Sequence, residues 1–168
     1  VAGRSGWCDT FLAPRGGGKR RHHGQDVMAP KMTPLVAVFD GVVQLAPGRS
    51  STAGNMLRLV GDNGFKALYM HLNNDTPGTD DGNGTAEYCY APGLKTGSRV
   101  LAGQLVGWVG DSGNAESTPP HLHFEIHHCA GSAVLNPAAS LRTASRTAEP
   151  RVVAAAVSLK PGPGQVRV

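Results

Sequence analysis

At 168 residues the chain is long enough for one domain with a sizeable core, and its 23 glycines, 12 prolines and few aromatics suit short strands joined by turns rather than a helical bundle. No run approaches the ~18–20 apolar residues of a membrane span, so the composition predicts a soluble chain with no transmembrane helix. The formal charge of +4 is concentrated near the start, in Arg15, Lys19, Arg20 and Arg21; it suits an anionic partner such as a cell-wall polymer or nucleic acid, and equally a mildly cationic surface with no such partner.

Residues 1–19 read as an irregular N-terminal segment that runs into the flexible stretch Gly16-Gly17-Gly18-Lys19-Arg20-Arg21. The chain opens on Val1 with no signal peptide, as a mature or trimmed fragment would. Strand patterns follow over 26–29, 35–39 and 42–45, with Asp40-Gly41 as a turn signal. The apolar runs 56–60 and 65–71 flank Asp62-Asn63-Gly64 and read as a hairpin. Residues 73–87 form a long acidic loop of a length that is usually functional or disordered. Its Asp/Asn/Gly content loosely suggests a calcium loop but lacks the EF-hand spacing. Strands resume over 98–101, 105–109 and 122–126. Residues 138–148 carry a short helix pattern, and the Ala/Pro/Gly-rich tail over 141–168 ends in a linker-like stretch at 158–168.

Cys8, Cys89 and Cys129 lack CxxC spacing, which argues against a zinc knuckle or thioredoxin-type centre. An odd count permits at most one internal disulfide, for which Cys89–Cys129 is the expected pair; the alternative is free, buried thiols.

The chemistry concentrates in histidines. In His121-Leu122-His123-Phe124-Glu125-Ile126-His127 the apolar residues alternate with polar ones, so a strand would turn Leu122, Phe124 and Ile126 to the core. His121 and His123 would then sit side by side, ~7 Å apart, on the other face. A second cluster, His22-His23-Gly24-Gln25-Asp26, sets an imidazole and a carboxylate four residues apart, with Gly24 free to adopt positive φ in the tight turn between them. Spacing alone does not separate His22 from His23. His71 ends the strand pattern 68–71. Three protein ligands with spare imidazoles nearby suit a catalytic zinc, whose open position takes water or substrate. The helical His-Glu-x-x-His signature is absent.

These motifs resemble the lysostaphin/LytM-type zinc metallopeptidases, many of which cut peptide cross-links of bacterial peptidoglycan. Arg20 to Asp26 matches the family's Arg-x-His-x-Gly-x-Asp, Thr33 to Val43 looks like its Thr-Pro hairpin, Tyr69-Met70-His71-Leu72 matches Tyr-x-His-Leu, and Pro120 to Glu125 matches Pro-His-Leu-His-Phe-Glu. The resemblance runs from Arg20 to Ile126. It implies zinc (Zn2+) held by His22, Asp26 and His123, with His71 and His121 as catalytic imidazoles serving the attacking water, the oxyanion or the leaving amine. It also implies an all-β, antiparallel, curved-sheet or barrel-sandwich-like domain over 20–140, with an open groove and long loops. The expected activity is endopeptidase cleavage of peptidoglycan cross-links or stem peptides by a monomer outside the cytoplasm, in the cell wall or periplasm, with no nucleic-acid partner. The alternative is a non-catalytic peptidoglycan-binding regulator of the same fold, against which all five site positions stand intact.

Two positions depart from the family pattern. The insertion 73–90 enlarges the loop beside His71, and Met32 replaces the usual glycine of the Gly-Thr-Pro turn. Glu125 is expected to support the site structurally rather than act as a base, Tyr69 to pack, and His127 and His128 to lie on the surface.

Overall fold

A computed structural model describes residues 1–131 and 133–147. The expected linker at 158–168 lies outside the described residues. The strands are β1 (Pro14–Arg15), β2 (Arg20–Arg21), β3 (Gln25–Met28), β4 (Pro34–Val36), β5 (Gly41–Ser50), β6 (Gly54–Gly61) and β7 (Phe65–Leu72). After the helical turn α1 (Ala86–Cys89) come β8 (Arg99–Val100), β9 (Leu105–Trp108), β10 (His121–His128) and β11 (Val134–Leu135), and helix α2 (Ala138–Thr147) ends the described chain. No helix among the described residues is long and apolar enough to cross a membrane.

The expected all-β, antiparallel architecture is observed. One seven-stranded sheet runs in the order β11-β10-β7-β6-β5-β8, with β3 sharing with β11 the edge of β10 that β7 leaves free. Two short ribbons, β1–β2 and β4–β9, stand apart from it, so the strands do not close into a barrel. Isolated bridges join Leu72, at the end of β7, to Val109 just after β9, and Tyr90, just after α1, to Gly107 of β9.

The hairpin at Asp62-Asn63-Gly64 forms, with Val60 opposite Lys66 and Gly64 at φ +82°. Its register brings Leu57 and Leu59 across from Tyr69 and Ala67, and all four are buried. Burying each leucine contributes roughly 1.5–3 kcal/mol. They pack with Leu35, Val43, Val106, Val109, Leu122 and Phe124 into one core.

Two expectations fail here. The segment from Thr33 to Val43 is not a hairpin: β4 pairs with β9, whereas β5 pairs with β6 and β8 in the large sheet. Leu35, Ala37 and Val43 are all buried, and a chain crossing between layers can bury all three, whereas a two-stranded hairpin with one wet face cannot. Tyr69 secures the crossover from within the core, its hydroxyl accepting from the Val38 amide at 3.0 Å and donating to the Val36 carbonyl at 3.1 Å. The Cys89–Cys129 disulfide is also absent. All three cysteines are free; Cys89 is buried in α1, whereas Cys8 and Cys129 are exposed, so the buried-thiol alternative holds for Cys89 alone. Elsewhere β5 outruns its predicted end, because a bulge between Ala46 and Ser50 carries Pro47-Gly48 without ending the pairing. Residues 138–147 are helical, as the pattern predicts.

Candidate active site

Strand β10 organises the site. Its alternation turns Leu122 and Phe124 into the core and His121, His123 and Glu125 to the opposite face. Pairing with β3 sets His123 directly across from Asp26, and pairing with β7 sets it beside Met70, next to His71. Gly24 has a different role from the one its sequence context suggests. It is not among the residues of positive φ; its backbone approaches β10 so closely that an added Cβ would lie 2.2 Å from the Phe124 carbonyl oxygen. That contact holds the turn against β10 and tucks His22 inward, whereas His23 faces out and is exposed.

The structure brings His22, Asp26 and His123 together. His22 Nε2 lies 3.0 Å from Asp26 Oδ1 and 3.0 Å from His123 Nδ1, and His123 Nδ1 lies 2.9 Å from Asp26 Oδ1. Three atoms in so small a triangle cannot all be joined by near-linear hydrogen bonds. The outer nitrogens explain the arrangement. His22 Nδ1 lies 3.0 Å from the Thr10 carbonyl, and His123 Nε2 lies 2.9 Å from Glu125 Oε1. Both of these partners only accept; the Thr10 hydroxyl at 2.9 Å and the Arg15 guanidinium at 3.2 Å also lie against His22 Nδ1, but the guanidinium is committed to Asp26 Oδ2 at 3.0 Å. With the proton on each outer nitrogen, each inner one presents a lone pair. Two lone pairs and a carboxylate oxygen converging on one point are a donor set for a cation, and imidazole and carboxylate are ordinary zinc ligands.

His71 and His121 complete the ring of imidazoles. Their ring centroids are 5.0 Å apart, and His71 lies 6.0 Å from the His123 ring. His71 Nδ1–H donates to the Ser112 carbonyl at 2.8 Å, and His121 Nδ1–H to the Pro119 carbonyl at 2.8 Å, leaving both Nε2 atoms bare. His121 Nε2 is 3.9 Å from Asp26 Oδ1. His71 adopts φ +62°, a costly conformation for a side chain with a Cβ, and sits where the β6–β7 pairing is irregular. Burial lowers its pKa to about 4 despite the Ser112 hydrogen bond, so the ring is neutral at neutral pH.

Several contributors are not legible in the sequence. Thr10 and Arg15 come from the segment expected to be irregular. The Arg15 guanidinium reaches Asp26 Oδ2 at 3.0 Å, leaving Oδ1 for the cluster. His127, expected on the surface, is half-buried, and its Nε2 donates to Glu125 Oε2 at 2.6 Å. One carboxylate therefore steadies two imidazoles. Ser112 gives its carbonyl to His71 while its hydroxyl donates to the Leu72 carbonyl at 2.6 Å. No local pattern announces Thr10, Arg15 or Ser112, because each reaches its partner from another segment of the chain, whereas His127 lies two residues from Glu125 on the same strand.

The acidic loop is anchored beside the site. Lys31 Nζ lies 2.7 Å from Asp75, 2.6 Å from Asp80 and 2.8 Å from Asp111. Asp75, Asp80 and Glu116 gather ligand atoms, but the ammonium already supplies a cation to Asp75 and Asp80. Over the histidines opens a cavity of about 580 Å³, lined on one side by Arg15, Arg20 and Arg21.

The profile of peptidase family M23 matches residues 20–137, which include all five of these histidines and acids. The chain belongs to peptidase family M23. Within that family it is 34% identical over 105 residues to the glycyl-glycine endopeptidase ALE-1 of Staphylococcus capitis, covering 62% of this chain and 24% of that protein. It is 32% identical over 130 residues to the L-Ala--D-Glu endopeptidase of Bacillus subtilis, covering 74% of this chain and 34% of that protein. The chain thus spans about a quarter to a third of the length of these curated relatives. Among solved structures, the catalytic domain of lysostaphin from Staphylococcus simulans is similar with a TM-score of 0.62 at 29% identity, covering 83% of this chain and 92% of that one. The expected family and the expected all-β fold are both borne out.

Proposed function

We propose that the chain is a zinc-dependent endopeptidase that hydrolyses peptide cross-links or stem peptides of bacterial peptidoglycan, outside the cytoplasm. The observation that carries this reading is the inward convergence of four imidazoles whose outer N–H groups are all engaged. Membership of peptidase family M23 and the peptidoglycan endopeptidases among the relatives support it.

In this reading His22 Nε2, Asp26 Oδ1 and His123 Nδ1 hold the zinc, with Glu125 and the Thr10 carbonyl fixing the two rings. Bound zinc supplies Lewis acidity toward a substrate carbonyl and acidifies water. His71 and His121 stand at the cavity wall. A bare Nε2 takes a proton from the attacking water and, once protonated, donates toward the oxyanion or the leaving amine. Fixing Nδ1–H on a carbonyl keeps each ring in the tautomer this requires.

Metal analysis and activity together test the assignment. His22→Ala and His123→Ala are expected to lose stoichiometric zinc, and His23→Ala to keep it. His121→Ala is expected to keep zinc yet release no new amino termini from purified peptidoglycan. Zinc loss confined to His23→Ala would overturn the ligand set. A wild-type protein that holds zinc but cuts neither peptidoglycan nor peptides would return the chain to a binding role.

A further inference from the structure

The cavity has one wall that the chemistry above does not use. Strands β1 and β2 form an antiparallel ribbon with Pro14 opposite Arg21 and Arg15 opposite Arg20. It turns through Gly16, Gly17 and Gly18, all at positive φ, which lets the chain reverse tightly. The ribbon is fastened to the site: the Leu12 amide donates to the His22 carbonyl at 2.7 Å, and the His22 amide to the Ala13 carbonyl at 3.0 Å. Arg15, Arg20 and Arg21 all line the cavity.

The charges on this wall are unequally employed. Arg15 is engaged by Asp26, and Glu125, the other carboxylate lining the cavity, is engaged by His123 and His127. Arg20 and Arg21 are exposed and pair with no carboxylate among the described residues. Two guanidinium groups without a counter-ion, facing a cavity whose acids are all engaged, make a site for an anion. A planar guanidinium matches a carboxylate through two parallel N–H donors. Arg20, Arg21, His71 and His121 line the same cavity, so a carboxylate held here shares that cavity with the reacting centre.

We propose that the ribbon is a carboxylate subsite, and that the substrate is a carboxylate-bearing stem peptide rather than an uncharged glycine bridge. Arg20 and Arg21 bind the carboxylate of an acidic residue or chain end, while Arg15 stays on Asp26. The inference rests on the endopeptidase reading and narrows it.

The test compares three synthetic peptides with the zinc-loaded protein: a stem peptide with free carboxylates, the same peptide amidated, and pentaglycine. The wild type is expected to favour the free-carboxylate peptide over its amide by about tenfold or more in kcat/KM, as charge-assisted hydrogen bonds imply. The preference is expected to reside in KM and to shrink with added salt. In an Arg20→Gln/Arg21→Gln variant that retains zinc, the acid-to-amide ratio falls toward one. Equal cleavage of acid and amide by the wild type, preference for pentaglycine, or an undiminished ratio in the double variant overturns this inference and leaves the endopeptidase reading standing. Failure of the wild type to cut any of the three, or purified peptidoglycan, removes both.

Discussion

Glu125 shows how much one side chain contributes without lying at the centre of the cavity. It is buried, and burial alone would raise its pKa, yet hydrogen bonds from His123 and His127 hold it ionised below the usual value. Its Oε1 fixes the proton of His123 on Nε2 and so keeps Nδ1 free to face Asp26. Glutamine in its place can accept from one imidazole only and presents an N–H to the other. Glu125→Gln is therefore expected to weaken zinc binding by roughly 10- to 100-fold while leaving the fold intact. Chelator competition measures the first and circular dichroism the second; unchanged affinity would reduce Glu125 to a packing role. At this scale the sequence was informative wherever alternation reports a face, as in His121 to His127. It was silent where a contact spans the chain: 101 residues separate His22 from His123, whose ring nitrogens lie 3.0 Å apart. His71 illustrates the same limit, since its φ of +62° is invisible in Tyr69-Met70-His71-Leu72. Met32, at φ +63°, occupies the backbone state for which the family pattern uses glycine.

Among the elements, the long loop after β7 is tied down by a single residue from the turn before β4. Lys31 meets Asp75, Asp80 and Asp111, and the carboxylates of Asp75 and Asp111 are almost wholly buried. Burial would lower the lysine's pKa, but the hydrogen bonds it donates to Asp111, Asp75 and Asp80 outweigh it and raise it above the ordinary 10.5. A raised folded-state value means the contribution is complete below pH 10.5 and is lost as pH climbs through the folded-state value. Thermal melts of the wild type are thus expected to fall on the alkaline side of pH 10.5, a dependence absent from Lys31→Met. At neutral pH that variant is expected to lose on the order of 3 kcal/mol, because two buried carboxylates lose their counter-ion. An unchanged neutral melting temperature would show that the loop needs no such anchor. The loop's presence was legible in the sequence, but its anchor 42 positions upstream of Asn73 was not. Hairpin β6–β7 was legible because its turn is local, whereas β4 found its partner in β9 through burial of Leu35 against the far layer.

For the whole molecule, the core is one body spanning both layers, and Cys89 belongs to it. Burial raises its thiol pKa to about 12, so at neutral pH it is neither ionised nor accessible. A thiol reagent is expected to modify two cysteines in the native protein, Cys8 and Cys129, and the third only after denaturation. One reactive thiol or none in the native, unreduced protein would instead revive a disulfide. The sequence by itself determined the strand pattern, the polar face of β10 and the family, because alternation, turn residues and short motifs act over a few neighbouring positions. Only the tertiary structure decided which nitrogen of each ring is bare, and that Arg15 and Thr10 reach the site. Those outcomes depend on strand pairing and close backbone approach between segments far apart in the chain, and local spacing carries no information about either.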